Sequence, residues 1–172
     1  CLLGEAKVGK SALALQIANS VCNGIPFLNL KTNKTPILYL STEMNPSETI
    51  SRINFMKCSL NENDFLYTFP EDNMTQLSIL KVEKEISEFK EKYNGKLVFI
   101  DMFNGINFGS YYDLNNYQDM SQNIFPQLRR LCNNYNVTII IVHHLNRKGK
   151  SLGSTAIDTC VDGKIALKQD EN

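Results

Sequence analysis

The sequence predicts an α/β fold with a mainly parallel sheet, and three observations carry that prediction. Short apolar runs such as "TPILYLS" (35–41), "KLVFID" (96–101) and "VTIIIVHH" (137–144) alternate with longer amphipathic stretches. The run "CLL" (1–3) leads directly into "GEAKVGKS" (4–11), which fits the pattern GxxxxGK(S/T). The run "KLVFID" ends in a carboxylate, a residue type that can hold a divalent cation at a sheet edge.

Each element has its own justification. After the loop, "SALALQIANSVCNG" is a good helix former, with Leu13, Ile17 and Val21 marking its apolar side. In "NPSETISRINFMKC" (45–58), Asn45 is the expected N-cap, Pro46 opens the helix and Glu48 stands three residues after the cap. "FLYTF" (65–69) reads as another strand. "MTQLSILKVEKEISEFKEKYNG" (74–95) is the clearest amphipathic helix, with Leu77, Leu80, Ile86 and Phe89 on one face and Gly95 as its stop. "MFNGINFGSYYDLNNY" (102–117) is expected to be a polar loop, and 117–134 a helix that delivers the chain to "VTIIIVHH". "LNRKGKSLGS" (145–154) is a basic loop and "DGKIALK" (162–168) a last strand.

Size and composition narrow the classes. At 172 residues, 42 % of them hydrophobic, the chain has the bulk of one domain with a sizeable core. We expect a single domain over 1–172, its first strand cut short because only three residues precede the loop. No apolar run approaches a membrane span, so no membrane partner and a cytoplasmic location are expected. Five cysteines form no CxxC pair and no zinc spacing, which suits buried free thiols in a reducing compartment. With 18 basic and 18 acidic residues the net charge is zero, so any nucleic-acid contact must be local. A small-molecule kinase would need an Arg-rich lid, whereas Arg52, Arg129, Arg130 and Arg147 are scattered.

The loop dictates its own chemistry. Glycines at 4 and 9 let successive backbone N–H groups turn toward a phosphate chain, Lys10 reaches the β- and γ-phosphates, and the Ser11 hydroxyl ligands Mg²⁺. Gly4, Glu5, Ala6, Lys7, Val8, Gly9, Lys10, Ser11 and Ala12 are the expected ATP contacts. Asp101, ending a buried strand of the kind that lies beside the loop's own strand, is the second expected Mg²⁺ residue. Many ring ATPases place a Glu directly after this Asp; Met102 stands here, so the base must come from elsewhere. Glu43, just past "ILYLS", is the candidate, on the view that strands flanking the loop strand end at one edge. Glu48, which suits helix-start chemistry, and Glu71 are weaker competitors.

The two histidines are adjacent, so on a strand they face opposite ways. His144 can sense a γ-phosphate and pass the change into the loop that follows, or the pair can be structural; zinc partners are lacking. Arg147, Lys148 and Lys150 could contact a nucleic-acid backbone, complete a neighbour's site, meet a partner or stay solvated. Tyr111 and Tyr112 could stack on bases or pack on their own domain.

Taken together, "GEAKVGKS", "YLSTEMNPSETISRI", "LVFID", "IIIVHHLNRKG" and "GSTAIDTCVDGKIAL" resemble the corresponding elements of RecA-like ATPases. Among them the DnaB- and RepA-type helicase group is the most similar. The resemblance implies ATP hydrolysis between subunits of a homo-oligomeric ring or filament; the leading expectation couples it to nucleic-acid remodelling, with single-stranded DNA as one candidate partner. It implies that Lys10 and Ser11 hold phosphate and Mg²⁺, that Asp101 assists the metal, that Glu43 activates water and that His144 is a polar sensor. A regulatory or signalling ATPase acting on protein partners is the alternative with the same core. Relatives complete their sites with a cation near or beyond the last strand, where Lys168 is the local candidate.

Overall fold

Six parallel strands form the main sheet, in the order β3-β2-β5-β7-β1-β8. They are β1 (Leu2–Gly4), β2 (Ile37–Ser41), β3 (Phe65–Thr68), β5 (Leu97–Asp101), β7 (Thr138–His144) and β8 (Ile165–Leu167). The computed structural model describes residues 1–56, 58, 64–70, 76–145 and 155–169. Parallel pairing buries the central strands on both faces, and β2 and β5 are buried at every position. Alternate residues feed two cores: Leu38, Leu40, Val98 and Ile100 enter one, Ile37, Tyr39, Leu97 and Phe99 the other.

The helices divide between the faces accordingly. α1 (Lys10–Asn23) and α2 (Pro46–Phe55) cover one face, contributing Ala14, Leu15, Ala18 and Cys22 from the first and Ile53 from the second. α3 (Ile79–Tyr93), a long helix from α4 (Tyr117–Asp119) through α5 (Phe125–Tyr135), and α6 (Ala156–Cys160) cover the other. Between α4 and α5 the helix widens into a π-helical segment at Met120–Ile124. Pro126 explains the widening, because it has no N–H to donate and its ring crowds the preceding turn. A two-stranded annex pairs β4 (Leu77–Ser78) with β6 (Ile106–Asn107). No helix among the described residues is long and apolar enough to cross a membrane.

Several expectations are corrected. β7 separates β5 from β1, so the Asp101 strand is not the immediate neighbour of the loop strand, and β2, which delivers Glu43, lies one strand further out. The stripe of α1 against the sheet is Ala14, Ala18 and Cys22; Leu13, Ile17 and Val21 are half-buried at its sides. α3 begins only at Ile79, capped by the Ser78 hydroxyl, which accepts from Lys81 N. That start leaves Leu80 75 % exposed and puts Val82, Ile86 and Phe89 in the core, while Leu77 is buried through β4 instead. Asn94, in the left-handed conformation, ends the helix before Gly95 is reached. The stretch after β5 is not simply a polar loop: Met102, Phe103, Ile106 and Phe108 are buried, with a 3₁₀ turn at Phe103–Gly105. Of the five free cysteines only Cys22 is buried.

Candidate functional site

All strands of the main sheet run the same way, so their C-terminal ends share one edge. Register places Gly4 opposite both His144 and Leu167, Asp101 opposite Val142, and Ser41 opposite Asp101. The loop at 4–9, the Glu43 loop, the Asp101 terminus and His144 therefore converge.

Local constraints shape the phosphate loop. A Cβ on Gly4 would stand 2.6 Å from Val8 Cγ1 and 2.9 Å from the Leu167 carbonyl, so the strand can turn there only without a side chain. Gly9, at φ 99°, caps α1 in the left-handed region, and Lys7 (φ 64°) also turns left-handed. Residues 5–7 are exposed beside the N-terminus of α1, where a loop of this kind can receive phosphate oxygens. Lys10 and Ser11, the first residues of α1, are buried.

Around Lys10 the polar groups interlock. Its ammonium donates to the Glu5 carbonyl at 2.7 Å and contacts His144 Nδ1 at 3.1 Å. His144 Nε2 lies 3.9 Å from Glu43 Oε1. Burial lowers the Lys10 pKa, opposed by the Glu43 and Asp101 carboxylates. Burial, with the Lys10 charge beside it, also lowers that of His144. The expected separation of the histidines holds: His143 is buried edge-on against the Phe103 ring at 5.8 Å, while His144 faces the cleft.

Asp101 is fully buried. Its Oδ2 accepts from the Tyr39 hydroxyl at 2.5 Å, and its Oδ1 has no hydrogen-bond partner among the described residues. Burial raises its pKa, and the Tyr39 and Ser11 hydroxyls pull it back. A buried carboxylate oxygen without a donor, beside the loop's serine, is an acceptor suited to a hydrated hard cation. Among the described residues no cluster of three or more His, Cys, Asp or Glu could form an all-protein metal cage. Mg²⁺ at a phosphate site needs none.

A cleft of about 400 Å³ is lined by Lys7, Gly9, Lys10, Ser11, Glu43, Met44, Glu48, Arg52 and His144, with the buried Asp101 outside its walls. Glu48 also serves the capping box of α2, its carboxylate accepting from Asn45 N while Asn45 Oδ1 accepts from Glu48 N. Arg52, one turn further along α2, also lines the cleft, and its charge partly opposes the upward pKa shifts that burial imposes on Tyr39 and Asp101. Sequence reading gave Arg52 no role; its place four residues after Glu48 in the helix following Glu43 is the signal that could have found it. Lys168 is exposed just past β8, at the same sheet edge. Tyr111 and Tyr112 are exposed. Glu71, Arg147, Lys148 and Lys150 lie outside the described residues.

A phosphate loop at the end of β1, and an acid-ended β5 set one strand away across β7, define a P-loop ATPase domain of the RecA-like type. The chain belongs to the family described as AAA domain, whose profile matches residues 1–150. Among solved structures it is similar to the flagellar accessory protein FlaH from Methanocaldococcus jannaschii, with a TM-score of 0.62 and 18 % identity. That likeness covers 96 % of this chain and 68 % of FlaH, and at such identity it is one of fold. No protein of curated function matches the sequence.

Proposed function

We propose that the chain binds ATP with Mg²⁺ and hydrolyses it, Glu43 being the general base. The observation that carries this is the cleft in which Lys10, Ser11, Glu43 and His144 meet. Residues 4–12 would cradle the triphosphate, with Lys10 released from Glu5 and His144 to meet the β- and γ-oxygens. Ser11 and Asp101 would hold Mg²⁺, whose charge would stabilise the phosphate oxygens as the bond breaks. Glu43, its side chain half-exposed at the cleft, takes the proton from the attacking water. His144 then loses its γ-phosphate contact when the bond breaks.

The work driven by that cycle is nucleic-acid remodelling in the helicase style, with Arg147, Lys148 and Lys150 as the cations that track a backbone. Those residues begin three positions after His144, so a sensor and a grip would be joined by a short tether. The site would be completed in a ring or filament by a cation of a neighbouring copy, Lys168 or one from the basic loop. A second reading, a regulatory ATPase that acts on a protein partner, is favoured by the likeness to FlaH, by name an accessory protein. Stimulation of ATP turnover by single-stranded DNA or RNA separates the two. Equal nucleic-acid affinity with ATP analogue, with ADP and without nucleotide would leave only the protein-partner reading.

A further inference from the structure

We infer that Thr42 is a positioning residue that fixes the Glu43 carboxylate relative to Asp101, and that its hydroxyl is the working group. The β2–β5 ladder ends at the pair Ser41–Asp101, yet the two chains stay fastened beyond it. Thr42 N donates to the Asp101 carbonyl at 2.7 Å. The Thr42 hydroxyl then donates to the Met102 carbonyl and accepts from Met102 N, both at 2.9 Å. One side chain thus satisfies both backbone groups of a buried residue at the point where β5 gives way to the Phe103–Gly105 turn.

The surroundings are cut to fit this side chain. A Cβ on Gly105 would come within 1.9 Å of Thr42 Oγ1 and 2.3 Å of its Cβ, so the turn closes over the threonine only because position 105 is glycine. Gly105 N in turn donates to the same Met102 carbonyl at 3.0 Å. Thr42 also lines a second polar cavity of about 220 Å³, whose walls include Glu43, Asn104 and His144. Glu43 is therefore attached to a residue held by three hydrogen bonds to the strand end that carries the acid, although its own side chain is half-exposed. A base on an otherwise free loop gains its aim from that clip, and a misplacement of about 1 Å can cost on the order of 10²-fold in rate.

The inference rests on Glu43 being the base, and the test separates the two. Thr42→Val keeps the shape but removes both hydroxyl bonds. It should lower kcat for ATP about 10- to 100-fold, with the affinity for a fluorescent ATP analogue and the KM little changed. Thr42→Ser, which restores the hydroxyl, should recover most of that loss. In a Glu43→Gln background, Thr42→Val should cost nothing further, because a positioning residue has no effect once its base is gone. Undiminished turnover by Thr42→Val, an additional loss in the Glu43→Gln background, or equal impairment of the serine and valine variants would each overturn the inference. If valine prevents folding, the serine variant decides alone: impaired turnover with intact nucleotide affinity overturns it, and wild-type turnover supports it. Normal turnover by Glu43→Gln would overturn the base assignment, and this inference with it.

Discussion

Two of the hollows among the described residues are close in size and opposite in lining, and the polar one gathers the groups that can do chemistry. The cleft at the phosphate loop, about 400 Å³, brings Lys10, Glu43, Arg52 and His144 together. The other, about 460 Å³, is lined mostly by apolar residues, among them Ile17, Phe125, Leu128, Ile139 and Ile141. Volume and apolar lining would favour this second hollow. Its ionisable groups, however, include thiols such as Cys132, pushed up by burial, and charges already paired on the surface, Arg129 with Asp162 at 3.5 Å and Lys164 with Asp158 at 3.0 Å. In the polar cleft burial lowers the pKa values of Lys10 and His144 against the pull of the Glu43 and Asp101 carboxylates, and specific charge partners in a cleft are the pattern that marks working groups.

The sharpest way to break this contrast is at Lys10. Lys10→Ala removes charge-assisted bonds worth about 1.5–3 kcal/mol each to an anionic partner, so productive ATP binding should be abolished. The nucleotide-free fold should survive, because burial already disfavours the charged ammonium there. Calorimetric ATP titration and thermal melting check the two halves. Near-normal turnover by this variant would end the assignment of the loop.

Next in size is Glu43→Gln, where the amide keeps the shape but cannot take a proton. Turnover should fall roughly 10²–10⁴-fold while ATP still binds and persists. Measured beside Glu48→Gln, it also tests the choice of acid, since Glu48 lines the same cleft but is tied into the start of α2.

The apolar hollow should answer in the opposite currency. Leu128→Ala should destabilise the fold by about 2–5 kcal/mol, the range for truncating a buried leucine. Denaturant midpoints should report that loss, while ATP affinity stays unchanged. A change in affinity would mean the two hollows communicate through β7.

How much of this was legible in the sequence differs by the range of the interaction. The capping box at Asn45–Glu48 and the strand–loop–helix around Lys10 are local, and both stand where periodicity and spacing put them. Leu80 and Phe103 were misread because their burial depends on partners far along the chain. Pairing of Leu77–Ser78 with Ile106–Asn107 sets where α3 starts, and that start turns Leu80 outward. Phe103 is buried because Phe125 stacks on it at 5.9 Å, a contact across 22 residues. The insertion of β7 between β5 and β1 is a property of topology that no window of sequence contains. Arg52 and Thr42 belong with these, since one has its role only beside Asp101 and the other only against Met102.

The smallest expected effect is a pH dependence centred on His144, and its sign follows from the contacts. The Lys10 ammonium can only donate, so His144 Nδ1 accepts and the proton of the neutral ring sits on Nε2, toward Glu43. Protonating the ring would set an N–H against the ammonium, which is why burial and Lys10 together hold its pKa below the usual value, with Glu43 and Asp101 only partly opposing. Between the lowered folded pKa and the unfolded value near 6.5, the unfolded chain binds more protons, so stability rises with pH. The His144 contribution is therefore complete above about pH 6.5 and is lost as pH falls toward the folded pKa. In nucleotide-free protein, melting temperature should drop across that window, and His144→Gln should flatten the drop. An ATP analogue should flatten it as well, because the triphosphate draws Lys10 away and sets negative charge beside the ring, which favours the imidazolium. ADP, lacking the γ-phosphate, should leave more of the slope in place. Identical slopes with ATP analogue and ADP would mean that His144 does not face the γ-phosphate, and the sensor role would fall while the roles of Lys10 and Glu43 stood.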